Sequence, residues 1–276
     1  MPNSINPVDY SAFQRYLEQA SGIVLGDNKH YLVNSRLNRI LKEKKFKELG
    51  ELVKILETGR DRGLQTEVVD AMTTNETSWF RDTHPYRILQ EVLLPEISKN
   101  RGAPVRIWSA ACSSGQEPYS ISMVIQDYQR THPGSLGSNI QIIATDISSS
   151  ILAHAKEARY DKIAIGRGLA EDFKTRYFQK AGEQWEVIEP IRKRIQFRQI
   201  NLMQSYALMG RFDIIFCRNV LIYFSGEAKQ DILERMTGSL NQNGHLVLGG
   251  SESPGNAGRH YSMERHGGGM VYKLKS

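Results

Sequence analysis

Two hydrophobic periods divide the 276-residue chain. Up to about residue 72, apolar positions recur at steps of three and four, as in Phe13, Tyr16, Leu17 and again in Val33, Leu37, Ile40, Leu41. That spacing gathers side chains on one side of an α-helix. Gly22, Gly26, Gly59 and Gly63 punctuate the segment and predict three or four short helices. A polar stretch from Thr73 to Ser78 leads into Trp79-Phe80-Arg81 and a helix after Pro85. The pattern predicts a domain boundary near residue 75, with a helical unit over 1–75 and a second unit over 76–276.

Beyond residue 100 the period changes. Val105 to Trp108, Ile140 to Thr145, Ile195 to Ile200, Phe212 to Cys217 and His245 to Gly249 are short, β-branched or strongly apolar runs. Helical stretches separate several of them, at Pro118 to Arg130, Ser149 to Ala158 and Gly226 to Leu240. Strands alternating with helices predict βαβ units and an α/β domain with a mainly parallel sheet. Met263 to Leu274, broken by three glycines, predicts an antiparallel hairpin closing that sheet. A small β-rich insertion is expected over about 159–198, around a turn at Gly182 and the run Trp185-Glu186-Val187-Ile188.

Composition narrows the class. With 40% hydrophobic and 24% charged residues the chain can bury a sizeable core. Its longest apolar run, Val220 to Phe224, is far below the roughly 18 residues of a membrane span. The start of the chain carries no basic region followed by an apolar one, so no signal peptide is expected. Cys112 and Cys217 lack metal-ligand spacing, and the seven histidines form no paired-ligand motif, so no metal is expected. A cytoplasmic protein follows. Net charge is +6, and ten of the basic residues against five acidic ones lie between Lys29 and Arg62. An acidic partner is implied. On a helix from Lys29 to Lys47, Arg36, Arg39 and Lys42 are expected opposite the apolar face, as a docking surface or as a solvated one.

Ligands of open parallel sheets bind at the carboxyl ends of strands. The first strand ends in seven small residues, Ser109 to Gly115, which let a ligand approach the backbone. Gly115 is their only glycine, so a pyrophosphate cradle is not expected, and a nucleoside without phosphates is the better candidate. Asp146 ends the second strand, where an acidic residue accepts from ribose hydroxyls or caps the following helix. Asn201, after the third strand, is placed to present its amide to an adenine edge, and Asn219 follows the fourth.

Several longer motifs then become decisive. Thr73-Thr74-Asn75-Glu76-Thr77, Phe80-Arg81, Arg106-Ile107-Trp108-Ser109-Ala110-Ala111, Ser114-Gly115-Gln116-Glu117-Pro118-Tyr119-Ser120, Ala144-Thr145-Asp146-Ile147 and Phe216 to Phe224 resemble those of the chemotaxis receptor methyltransferases, the CheR family. The resemblance spans nearly the whole chain in order. It implies a Rossmann-like class I methyltransferase sheet preceded by an all-α domain. It also implies S-adenosylmethionine as methyl donor, S-adenosylhomocysteine as product, and glutamates in the helical region of membrane chemoreceptors as acceptors.

Carried over by motif, Asn75, Thr77, Arg81, Glu117, Asp146, Asn201, Leu202, Asn219 and Val220 are the implied cofactor residues. Arg81 and Tyr223 are the implied contacts near the transferred methyl. Gln116-Glu117 stands where the family often carries two glutamates, so the carboxylate role falls to Glu117. The hairpin around Gly182 is short for gripping the receptor peptide that some members bind. A monomer recruited to receptor arrays is implied. A glutamate acceptor, with a pKa of about 4.3, is ionised at neutral pH and needs no general base. The competing class is a nucleic-acid-binding Rossmann-like protein or a nucleic-acid methyltransferase. It lacks support from an Asn/Asp-Pro-Pro-Tyr signature, because Arg218-Asn219-Val220-Leu221 stands after the fourth strand.

Overall fold

The computed structural model describes residues 5–99, 104–137 and 139–276. Met1 to Ser4, the start of the stretch read for a leader, lie outside them. Four helices open the chain: α1 (Pro7–Ser21), α2 (His30–Glu43), α3 (Leu49–Glu57) and α4 (Arg62–Met72). Side-chain caps start two of them. Asn6 Oδ1 accepts from Val8 N at 2.9 Å, and Asp61 Oδ1 accepts from Leu64 N at 2.9 Å. Phe13, Leu17, Val33, Leu37, Ile40, Leu52 and Val68 form their shared core. Helix α2 is shorter than its expected span from Lys29 to Lys47. The chain leaves the helix at Lys44 and turns through Lys45, which takes a left-handed φ of 61°.

A connecting segment forms α5 (His84–Ile88), a wide turn over Leu89–Leu93, and α6 (Leu94–Ser98). The sheet region then runs β1 (Val105–Ala110), α7 (Gln116–Thr131), β2 (Ile140–Asp146), α8 (Ser149–Glu157) and β3 (Arg159–Tyr160). Next come α9 (Lys162–Gly166), α10 (Glu171–Tyr177), β4 (Phe178–Ala181), β5 (Gln184–Val187), α11 (Glu189–Arg192) and β6 (Ile195–Gln199). The chain ends with β7 (Phe212–Cys217), α12 (Gly226–Gly238), β8 (Leu240–Leu248), β9 (Tyr261–His266) and β10 (Gly269–Leu274).

The main sheet has the order β6-β2-β1-β7-β8-β10-β9. Strands β6, β2, β1, β7 and β8 are parallel, and the closing hairpin is antiparallel to them. This is a Rossmann-like, mainly parallel sheet closed by an antiparallel hairpin, the architecture expected from the alternation of strands and helices. Alternate residues serve opposite faces, as the two-residue period of a strand requires. Ile107, Ile142, Ile214 and Phe216 pack on one face with Tyr119, Ile121 and Ile125 of α7. Trp108, Ile143, Ile215 and Cys217 pack on the other with Ile232, Leu233 and Met236 of α12. Both faces are therefore apolar, which is why these strands read as continuous hydrophobic runs. Between β3 and β5 the insertion forms a separate three-stranded sheet of order β3-β5-β4. Among the described residues no helix is long and apolar enough to cross a membrane.

The helical unit meets the sheet domain along one seam. Gly22 ends α1 at φ 79°, and a Cβ there would come within 2.5 Å of the Phe224 ring. Only glycine meets both demands. Val24 N donates to the Tyr223 carbonyl at 2.8 Å. From α4, Asp70 accepts from Ser149 N at 3.2 Å and Ser150 N at 3.1 Å at the start of α8.

Candidate functional site

The strand order changes direction between β1 and β7, so the loops leaving those strands diverge and open a crevice. A cavity of about 340 Å³ lies there, covered by residues of the helical unit. That volume falls within the range of small-molecule sites, roughly 300–1,000 Å³. Asn75, Thr77, Arg81, Glu117, Asp146, Asn201, Leu202, Asn219, Val220 and Tyr223 all line it. Residues from five separate stretches of sequence thus share one wall.

Two buried carboxylates stand on the sheet side. Asp146 Oδ2 accepts from Ser113 N at 2.9 Å and Oδ1 from Ser148 N at 3.0 Å. It does not cap α8, because Ser148 does so by accepting from Ile151 N at 3.2 Å. Burial raises the Asp146 pKa from the usual carboxylate value, against the backbone hydrogen bonds that favour its charged form. The loop it holds folds tightly, with Ala111 at φ 55°, Ser113 at φ 51° and Gly115 at φ 94°.

Glu117 sits in the first turn of α7. Its Oε1 accepts from Ser109 Oγ at 2.8 Å and its Oε2 from Arg218 Nη1 at 3.1 Å. Burial raises its pKa, outweighing the opposing pull of Arg218. Arg218 leaves β7 with 2% of its side chain exposed, against 12% for Glu117. Its Nη2 donates to the Arg81 carbonyl at 2.9 Å and to Asp82 Oδ2 at 2.7 Å. Burial disfavours the guanidinium charge, but Glu117, Tyr86 and Asp82 outweigh it and raise the Arg218 pKa. Arg218 Nε and the Tyr86 hydroxyl are buried in this wall without a hydrogen-bond partner among the described residues.

Arg81 and Tyr223 line the cavity from different sides of the chain's path. Arg81 Nη1 donates to the Glu76 carbonyl at 3.1 Å. Both residues are half-buried. Asn75 Nδ2 donates to Thr73 Oγ1 at 3.2 Å, and its carbonyl accepts from Ser113 Oγ at 3.0 Å. Leu202 is buried, and Val220 is half-buried beside it in the cavity lining.

Two expected roles change. Arg36 is not on the open face of α2: its Nη1 donates to the carbonyls of Met72 at 2.6 Å and Thr73 at 2.8 Å, and its Nη2 to Thr74 Oγ1 at 3.0 Å. It satisfies the carbonyls at the end of α4 and lines the cavity. The cause is its angle. Residues three after Val33 and four before Ile40 fall on the flank of the apolar stripe, whereas Arg39 and Lys42 fall opposite it. Those two are exposed, and Arg39 lies 3.7 Å from both Glu43 and Glu67. Asn201 also differs. Its Nδ2 donates to the Ala20 carbonyl at 2.8 Å and its Oδ1 accepts from Met203 N at 2.9 Å, so its amide ties the seam instead of facing an adenine edge.

Sequence reasoning missed two cavity residues, Arg218 and Tyr86, and, outside the cavity lining, the buried carboxylate of Glu252 behind the Arg218–Leu221 loop. Arg218 left a usable signal. A charged residue directly after the apolar run Ile214 to Cys217 of β7 requires a buried partner.

The parallel sheet, the loop after β1 with Gly115 as its only glycine and the acidic residue ending β2 define a Rossmann-like domain with a site suited to a nucleoside. Comparison with known proteins gives the family. Residues 8–73 match the family description "CheR methyltransferase, all-alpha domain" and residues 75–266 match "CheR methyltransferase, SAM binding domain". The chain belongs to the CheR methyltransferase family and is an S-adenosylmethionine-dependent methyltransferase of the chemotaxis type. It is 52% identical to "Chemotaxis protein methyltransferase 1" of Pseudomonas aeruginosa, over 97% of this chain and 98% of that one. It is 48% identical to "Chemotaxis protein methyltransferase Cher2" of Pseudomonas putida, over 99% and 100%. It is 49% identical to "Chemotaxis protein methyltransferase" of Vibrio parahaemolyticus, over 99% and 98%.

The buried Arg218–Glu117 pair gives a prediction for stability. Arg218→Leu leaves Glu117 buried without its cation, a change that costs about 3–5 kcal/mol. Glu117 then rises further above the value of about 4.3 at which it titrates in the unfolded chain. The folded state binds the proton more readily, so the deficit is full above the raised value and shrinks as pH falls toward the unfolded one. Urea denaturation of the variant and wild type at about pH 7.5 and about pH 5 reads this directly. A deficit that is absent, or equal at both pH values, contradicts the assignment.

Proposed function

We propose that this chain transfers the methyl group of S-adenosylmethionine to glutamate side-chain carboxylates in the cytoplasmic helical region of chemoreceptors, giving glutamyl methyl esters and S-adenosylhomocysteine. The observation that carries the reading is that Arg81 and Tyr223 line the same cavity as Asp146 and Glu117. A cation and a phenol suited to a carboxylate acceptor thus share a chamber with two acceptors suited to a nucleoside amino acid. The chemotaxis names of the relatives support a protein acceptor over the nucleic-acid alternative.

The donor set fits the cofactor. A carboxylate offers about four lone-pair directions, so Asp146, which accepts two backbone N–H groups, keeps capacity for ribose hydroxyls. Glu117 keeps similar capacity for an ammonium group. Leu202, Asn219 and Val220 wall the adenine side, with Asn201 fixing the backbone there. Arg218 Nε and the Tyr86 hydroxyl, neither with a hydrogen-bond partner among the described residues, suit the amino-acid end. Asn75, Thr77 and Arg81 close the site from the linker. When bound, the cofactor supplies an electrophilic methyl on a sulfonium.

Arg81 orients the acceptor carboxylate by charge, and the Tyr223 hydroxyl donates a hydrogen bond that aligns it. No residue acts as a base, because a glutamate of pKa about 4.3 arrives ionised. Catalysis is therefore positioning plus exclusion of water. The bond from Val24 N to the Tyr223 carbonyl ties the covering helical unit to the reacting end. The exposed Arg39 and Lys42 of α2 meet the acidic receptor helix. This reading implies a cytoplasmic monomer recruited to receptor arrays.

Three outcomes test the proposal. Asp146→Ala should weaken S-adenosylhomocysteine binding about ten- to a hundred-fold by calorimetry, whereas wild-type affinity would remove Asp146 from the cofactor site. With labelled S-adenosylmethionine and receptor-bearing membranes, the wild type should form base-labile methyl groups. Arg81→Ala should lower single-turnover rates on the order of a hundred-fold or more, and Tyr223→Phe should lower them with the fold intact. An Arg81→Ala enzyme as fast as wild type, or base-stable labelling, would overturn the mechanism. Finally, Arg39→Glu combined with Lys42→Glu should slow receptor methylation at low salt and flatten its salt dependence, with cofactor affinity unchanged. Normal methylation by that variant at low salt would sink the docking role.

A further inference from the structure

Glu252 lies in the turn after β8, within the run Gly249-Gly250-Ser251-Glu252-Ser253, and is almost wholly buried. Its carboxylate accepts four backbone N–H groups. Oε2 takes Asn219 N at 2.7 Å and Gly249 N at 2.8 Å, and Oε1 takes Leu221 N at 2.8 Å and Val220 N at 3.0 Å. Three of these donors are consecutive residues of the loop leaving β7. Successive amides converging on one anion form a nest, filled here by a side chain from the neighbouring strand's turn.

Two independent features show that the loop is held and not merely touched. Asn219 stands at φ 56°, a left-handed conformation uncommon outside glycine and open to asparagine, which aims its own N–H and the two that follow at the same carboxylate. At Gly249 a Cβ would lie 2.6 Å from Glu252 Oε2 and 2.9 Å from Asn219 N, so a side chain there would press the clamp apart.

We propose that Glu252 is a positioning residue for methyl transfer: by gathering these amides it fixes the Arg218–Tyr223 loop. On the reading that Asn219 and Val220 wall the cofactor and Tyr223 faces the acceptor, it thereby sets both ends of the reaction without touching either reactant. The neighbouring 3-10 turn, Leu221–Tyr223, begins at the last of the clamped amides, which transmits the constraint to Tyr223.

Glu252→Gln is the test, at nearly unchanged volume. The amide keeps one acceptor oxygen and sets an NH₂ group against two N–H donors. Expected are losses of about tenfold or more in S-adenosylhomocysteine affinity and in kcat, with KM for the receptor unchanged within about twofold. Glu252→Asp, which keeps the charge with shorter reach, should recover part of both. A role confined to stability would lower the melting temperature and the fraction of binding-competent molecules. Affinity and kcat per competent molecule would stay at wild-type values, and that result overturns the proposal. If Glu252→Gln does not fold, Gly249→Ala decides, because it keeps the carboxylate and disturbs the same clamp. The same paired loss supports the proposal, and wild-type values overturn it. A wild-type protein that neither binds S-adenosylhomocysteine nor methylates receptors would contradict the functional reading itself, a separate outcome.

Discussion

The buried guanidinium of Arg218 organises the site. It joins the end of β7 to the first turn of α7 through Glu117 and to the linker through Asp82 and the Arg81 carbonyl. A charge this deeply buried is tolerated only where partners surround it, so every element that supplies a partner is drawn to one point. The linker is thereby pinned beside the sheet's carboxyl edge. Arg81 reaches the cavity because its own backbone is one of those partners.

The helical unit completes the chamber by a different kind of bond. Charged and amide side chains reach across to backbone groups: Asp70 to the start of α8, Asn201 to the end of α1, and, within the helical unit, Arg36 to the end of α4. Each satisfies a helix end that would otherwise leave orphan donors or acceptors. Two of these side chains, Arg36 and Asn201, also line the cavity that Asp146 and Glu117 face. Residues that tie the seam thus also wall the cavity, which suits the proposed displacement, one that depends on positioning and on excluding water.

Much of this was legible in the sequence, and the exceptions share a cause. Ile107 and Trp108, or Ile214 and Ile215, alternate between two covered faces, so their strands read directly as apolar runs. Val33, Leu37 and Ile40 marked the buried stripe of α2 in the same way. Asp146 was found by its position at a strand end, and Glu117 only through the motif Ser114 to Ser120 that carries the family resemblance. Arg36 and Asn201 misled because the carbonyls they donate to, 36 or more residues away, are invisible to local spacing. Glu252 was passed over inside a glycine- and serine-rich run, since nothing local reveals that it gathers the amides of residues about thirty positions earlier. Periodicity reports burial, whereas the assignment of a polar side chain to strut or ligand is decided by the tertiary contact.

The account's central claim is that one chamber, between the helical unit and the carboxyl edge of the sheet, holds cofactor and acceptor together. A structure of the protein crystallised with S-adenosylhomocysteine tests it most directly. The account predicts the nucleoside against Asp146, Leu202 and Val220, the amino-acid end beside Glu117 and Arg218, and the sulfur facing the space between Arg81 and Tyr223. A product molecule bound outside this cavity, or with its sulfur turned away from Arg81 and Tyr223, would contradict it.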